Sequence, residues 1–204
     1  MTDARPVFSI YERHIPIELA RVAVFVNPIG GEILDNPRTA ALMGVPEQQA
    51  EGIRLAGYLH DIGKIAVPAE ILAKPGKLSQ DEFGIIKTHP QFGYDILKEI
   101  EFAWPVALVT LQHHERLNGM GYPRKLTSAA IPTQSKLMAI CDVHDALVAA
   151  DRPYKAAVSI PRSLEILEDE TRAGLLDPDA LAIFLEARIY DLTKGMLNVE
   201  AVSP

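Results

Sequence analysis

From residue 46 onward the apolar positions recur at helical spacing. Pro46-Glu47 opens a segment whose Ile53, Leu55, Ala56 and Leu59 share one broad face, and this helix is predicted to close near Gly63. A short helical turn follows from Pro68 to Leu72, stopped by Pro75-Gly76. Ser79 with Glu82 three residues later forms a capping box, in which each side chain satisfies the other residue's backbone N–H. The helix it starts runs towards His89, where Pro90 kinks or breaks it. Tyr94, Ile96, Leu97 and Ile100 mark another helix, and Pro105 sits at the first turn of the next, Val106 to Glu115. Residues 116–131 are rich in Gly, Pro and Asn and read as loop. Pro132 opens a long apolar-periodic helix to about Ala150, and two more fit Pro161–Ala173 and Pro178–Asp191.

Before residue 46 the pattern is irregular. Val22, Val24 and Val26 alternate as a strand would, while Ile17, Leu19, Ala20 and Ala23 fit a short helix equally well. Asn27-Pro28, Gly30-Gly31 and Asn36-Pro37 are turn signals. The expected fold is therefore all-α, a compact multi-helix bundle of about seven helices with an irregular N-terminal segment. The expected division is 1–46 for that segment, 47–195 for the helical domain and 196–204 for a tail.

Composition narrows the function classes. The 204 residues are 48% hydrophobic and 23% charged, as in an ordinary globular protein. Twenty Lys+Arg against 27 Asp+Glu give a net charge of −7. With no basic stripe to neutralise a run of phosphates, a nucleic-acid polymer is not the expected partner. A small phosphate ligand needs only a local cluster of positive charge. The longest apolar run, around Ala20–Val26, is far short of the roughly 18 residues that a membrane span needs. No secretory signal is evident, so the expected location is cytoplasmic, without membrane attachment. A single cysteine, Cys141, rules out a disulfide framework and a cysteine-rich zinc site.

The histidines carry the chemistry. His60-Asp61, His89, His113-His114 and Asp142 follow one another on successive predicted helices. Imidazole and carboxylate donors without thiolates suit divalent iron, manganese, zinc or similar ions. Neighbouring helical residues point about 100° apart, so His113 and His114 do not easily address one metal from an ideal helix. Either each serves a different metal, or the second binds from a frayed helix end. His144 lies on a different face from Asp142 and reads as peripheral, and Cys141 reads as a small buried residue.

His60-Asp61-Ile62-Gly63-Lys64 and the run from His113-His114-Glu115 to Gly121-Tyr122-Pro123 closely resemble the HD-GYP family, a branch of the HD superfamily of metal-dependent phosphohydrolases. The resemblance spans about Gln49 to Asp191 and includes Val67-Pro68-Ala69-Glu70, Thr88-His89-Pro90, Asp142-Val143-His144-Asp145 and Asp151-Arg152-Pro153-Tyr154-Lys155. It implies an all-helical HD-type domain that hydrolyses cyclic di-GMP to linear pGpG, and on a further cut to GMP. It also implies metal ligation by His60, Asp61, His89, His113, His114 and Asp142, with Asp61 bridging two divalent ions. Iron or manganese is the first expectation, with zinc, nickel or magnesium as alternatives. Lys64 would act with Asp61 in catalysis by facing the phosphate. Tyr122 would line the nucleotide pocket, and Arg152 and Lys155 would grip phosphate oxygens. A diguanylate cyclase or a response regulator is the kind of partner such a domain implies.

Two departures stand against the pattern. The family carries a further His about thirty residues before the His-Asp pair, and here that stretch reads Asn27-Pro28-Ile29-Gly30-Gly31. His14 and Glu32 are the residues that could replace it. Asn118 stands where the loop commonly has Asp. The missing ligand motivates a competing expectation, a weak or inactive module that binds the nucleotide or a signalling partner.

Overall fold

The computed structural model describes residues 52, 55–102, 104–149 and 157–193. Residues 55–59 are helical and run into a 3-10 turn at Ile62–Ala66. Seven bounded α-helices follow among the described residues: α1 (Ala69–Leu72), α2 (Gln80–Ile86), α3 (His89–Leu97), α4 (Val106–Gln112), α5 (Thr133–Val148), α6 (Ile160–Arg172) and α7 (Pro178–Glu186). There is no strand among them; a lone antiparallel bridge joins Asn118 to Thr127 inside the loop before α5.

Local chemistry sets several boundaries. The Ser79 hydroxyl accepts from the Glu82 N–H at 3.2 Å, and the Glu82 carboxylate accepts from the Ser79 N–H at 2.7 Å, which completes the capping box of α2. Pro90 occupies the first turn of α3, where a missing N–H costs nothing. Asp177 opens α7 by accepting from the N–H groups of Asp179 and Ala180.

Helix α5 is the axis. Its Leu137, Met138, Ile140 and Cys141 are buried against Val106 and Val109 of α4, Leu167 of α6 and Phe184 of α7. Helix α3 lies against both the 3-10 turn and α4. Gly63 permits that seat: a Cβ there would fall 1.9 Å from the His89 carbonyl oxygen and 2.4 Å from the Gly93 nitrogen.

Five expected helix ends shift. The helix predicted to reach Gly63 turns after Leu59 and continues as 3-10, closed by Lys64 N–H to Asp61 O, where α3 seats so closely on Gly63 that a Cβ would meet its backbone. Helix α2 stops at Ile86 rather than reaching His89, so Pro90 begins a new helix instead of kinking an old one. Helix α3 stops at Leu97, and Ile100 is solvent-exposed rather than on a buried face. Helix α4 stops at Gln112 rather than Glu115, because the Glu115 carboxylate turns away to bind loop amides at Arg124 and Leu126. The last predicted helix divides: α7 ends at Glu186, Arg188 takes the left-handed conformation (φ 54°), and a 3-10 turn covers Ile189–Thr193. The expected irregular N-terminal segment lies outside the described residues.

Candidate metal centre

Four chain segments meet at one buried point. The 3-10 turn contributes Asp61 at its N-cap, with His60 just before it. Helix α3 contributes His89 at its first position, and α5 contributes Asp142. Because α4 ends at Gln112, His113 is its cap and His114 leaves the helix altogether, which frees both rings to face the same centre. Their centroids stand 4.1 Å apart. Single donor atoms from Asp61, His89, His113 and His114 all lie within 4.8 Å of one another. His60 and Asp142 flank this set. His60 Nε2 is 3.6 Å from Asp61 Oδ2 and 3.8 Å from Asp142 Oδ1, and His114 Nδ1 is 3.4 Å from Asp142 Oδ2.

Backbone carbonyls fix the tautomers of three histidines. Nδ1–H of His60 donates to the Gly57 carbonyl at 2.6 Å, that of His89 to Ile86 at 2.8 Å and that of His113 to Thr110 at 2.7 Å. A carbonyl can only accept, so Nδ1 carries a proton in each ring, and in the neutral tautomer it is the bare Nε2 that faces inward. His89 Nε2 and His113 Nε2 then face each other at 3.2 Å, with Asp61 Oδ1 3.1 Å from the first. His60 Nε2 and Asp61 Oδ1 are buried without a hydrogen-bond donor. Converging lone pairs repel unless a cation lies among them, and metal-binding histidines are commonly oriented by an outer carbonyl in this way. The residues present therefore fit a divalent ion held by nitrogen and oxygen.

Titration follows the same logic. Burial lowers the pKa of His113 well below its usual value, helped by the surrounding histidines, and lowers that of His114 to about 4, against the opposing pull of Asp142. Burial would raise the Asp61 pKa, but the neighbouring His60 and Lys64 side chains and the contact with His89 outweigh it, and the carboxyl is held well below the usual range. All three groups are thus in ligand form at neutral pH.

The other sequence-predicted residues divide. The Lys64 ammonium sits on Asp61 Oδ2, since 3-10 geometry stacks residues three apart. Tyr122 lays its ring on His114, centroids 4.7 Å apart. His144 is core: it is buried, its Nδ1 pairs with Ser163 Oγ at 2.9 Å, and its ring meets Phe184. Cys141 is buried and its thiol pKa is pushed up by burial. Arg152, Lys155, His14 and Glu32 lie outside the described residues.

Sequence reading passed over Glu115. This buried carboxylate accepts from the N–H groups of Arg124 at 2.7 Å and Leu126 at 2.9 Å, holding the loop that carries Tyr122. It also passed over Phe83 and Lys87, which stand beside Tyr122. Their positions, six and two residues before His89, were the available signal.

Comparison with known proteins agrees with this geometry. The HD domain family model matches residues 36–180. The cyclic di-GMP phosphodiesterase response regulator RpfG of Xanthomonas campestris pv. campestris is 42% identical over 73% of this chain and 39% of its own length. The 3'3'-cGAMP-specific phosphodiesterase 1 of Vibrio cholerae serotype O1 is 37% identical over 70% of this chain and 33% of its own. The chain thus spans between a third and two-fifths of these relatives. Among solved structures, the HD domain of the phosphodiesterase PgpH from L. monocytogenes, in complex with cyclic-di-AMP, superposes with a TM-score of 0.58 at 17% identity, over 93% of this chain and all of that one.

Proposed function

The chain belongs to the HD domain family, and from that membership we propose that it is a metal-dependent phosphodiesterase of the HD-GYP type, opening cyclic di-GMP to linear pGpG and then, on a second cut, to GMP. The observation that carries the reading is the pair of bare Nε2 atoms of His89 and His113 facing each other 3.2 Å apart beside Asp61. Relatives named for cyclic di-GMP and for 3'3'-cGAMP supply the substrate class.

Asp61, His89, His113 and His114 would hold a divalent cation, and His60 and Asp142 beside them would offer donors for a second. Iron or manganese suits the imidazole-carboxylate mixture, which offers no thiolate. Divalent ions here supply positive charge that stabilises phosphoryl oxygens and acidifies a water. The chain's own groups do the rest. Lys64 keeps a fixed positive charge against Asp61 at the phosphate side. The three carbonyl-anchored histidines keep their rings in place without reorganisation. Tyr122 covers His114 and forms one wall of the nucleotide pocket. Arg152 and Lys155 take phosphate oxygens. Hydrolysis adds a water oxygen to phosphorus, breaks the bond to the 3′-oxygen and returns a proton to it.

No helix among the described residues is long and apolar enough to cross a membrane. A cytoplasmic place, and a cyclase or response regulator as partner, fit the substrate. The weak binding module has only the missing upstream histidine in its favour, and phosphodiesterase relatives weigh against it.

The test is product analysis with cyclic di-GMP and 3'3'-cGAMP in parallel on metal-loaded protein. Linear dinucleotide is expected from cyclic di-GMP, with a loss of roughly a hundredfold or more in Asp61→Asn and His89→Ala. Intact cyclic di-GMP after long incubation defeats the proposal, and exclusive cleavage of cGAMP reassigns the substrate.

A further inference from the structure

Beside the metal centre stands an aromatic and cationic wall, of which the proposed reaction has used Tyr122 but not Phe83 or Lys87. Phe83 and Lys87 lie one turn apart along α2 and its cap. Phe83 is a large apolar side chain left 44% exposed. Its ring meets Tyr122 edge to face, centroids 6.5 Å apart. Lys87 Nζ lies over the face of the Phe83 ring, 4.5 Å from its centroid, and 5.5 Å from the centroid of Tyr122. Among the described residues no carboxylate neutralises Lys87. Tyr122 in turn covers His114. The wall therefore begins at the metal set and extends from it by two rings, Tyr122 and Phe83.

We propose that Phe83, Lys87 and Tyr122 form a guanine subsite, in which the base takes the Phe83 face that the Lys87 ammonium covers, and the flexible lysine swings to the base edge to donate to O6 and N7. The proposal rests on the phosphodiesterase reading for the direction of the ligand. An aromatic face stacks any base and so gives affinity without choice. A lysine gives choice: guanine offers two adjacent acceptors, O6 and N7, whereas adenine pairs N7 with an amino donor that repels an ammonium. The two residues thus divide the work, Phe83 setting strength and Lys87 setting identity. Both are on the surface of a short capped helix, and neither supports the core.

Equilibrium binding of 5′-GMP and 5′-AMP to the full chain tests this without requiring turnover. Wild type should prefer GMP. Lys87→Met should abolish the preference by weakening GMP alone. Phe83→Ala should weaken both nucleotides by roughly tenfold, and Phe83→Trp should restore them. Metal content and melting temperature should stay at wild-type values in all three variants. In turnover of cyclic di-GMP, Phe83→Ala should raise KM with little change in kcat. Equal affinity of wild type for GMP and AMP, or no binding of either, overturns the subsite. So does equal weakening of both by Lys87→Met, which would make Lys87 a phosphate contact. If hydrolysis is absent while the GMP pattern holds, the phosphodiesterase reading fails alone; if hydrolysis is normal and KM is unmoved, the subsite fails alone.

Discussion

Gly63 shows how one missing Cβ decides the site. Its backbone touches the His89 carbonyl, so Gly63→Ala must push α3 away and carry His89 off Asp61. The expected cost is about 1–3 kcal/mol in chemical denaturation, together with loss of bound metal measured by elemental analysis. His144 makes a different residue-scale statement, because it is buried in the core and its pKa is lowered to about 4 by burial. The unfolded chain takes up that proton near the ordinary value, so falling pH favours unfolding from about 6.5 down to about 4. The stability tied to neutral His144 is complete above that window and gone below it. Denaturation of wild type and His144→Gln across pH 7 to 4 should show their difference shrinking by about 3 kcal/mol at most. The capping pair Ser79 and Glu82 was legible in sequence, since it acts within three residues, whereas Pro90 reads there as a kink or break and only the structure puts it in the first turn of α3.

At the scale of elements, the ends of helices matter more than their middles. Helix α4 stops one residue before His113, and that stop lets two sequential histidines share a centre. Periodicity extends α4 to Glu115, because the sequence does not show that the Glu115 carboxylate is taken by amides nine and eleven residues on. Glu115→Gln replaces a charged acceptor of two N–H groups with an amide that can accept through one oxygen only. The expected result is a loss of about 1–3 kcal/mol, with faster hydrogen exchange at Arg124 and Leu126 than elsewhere. Uniform exchange across the chain would show that Glu115 does not hold the loop. The 3-10 turn at Ile62–Ala66 is a similar case, since its tighter winding is what seats Lys64 on Asp61.

For the whole molecule, the centre is a clamp between the 3-10 turn, α3, the end of α4 and α5, elements far apart in sequence. A ligand that binds only the folded state adds stability in proportion to its occupancy. Stripping metal with a chelator should therefore lower the melting temperature by about 5–10 °C, with no such shift in His89→Ala. The sequence by itself determined the all-helical class, the principal helices to within a few residues, and the set of histidines and aspartates worth attention, because helical periodicity, caps and donor chemistry are properties of short stretches. Only the tertiary structure decided that the Nε2 atoms of His89 and His113 oppose each other, that His144 belongs to the core, and that Phe83 and Lys87 stand beside Tyr122. Those facts depend on how α3 seats on Gly63 and where α4 ends, and both follow from contacts between segments that no local pattern records.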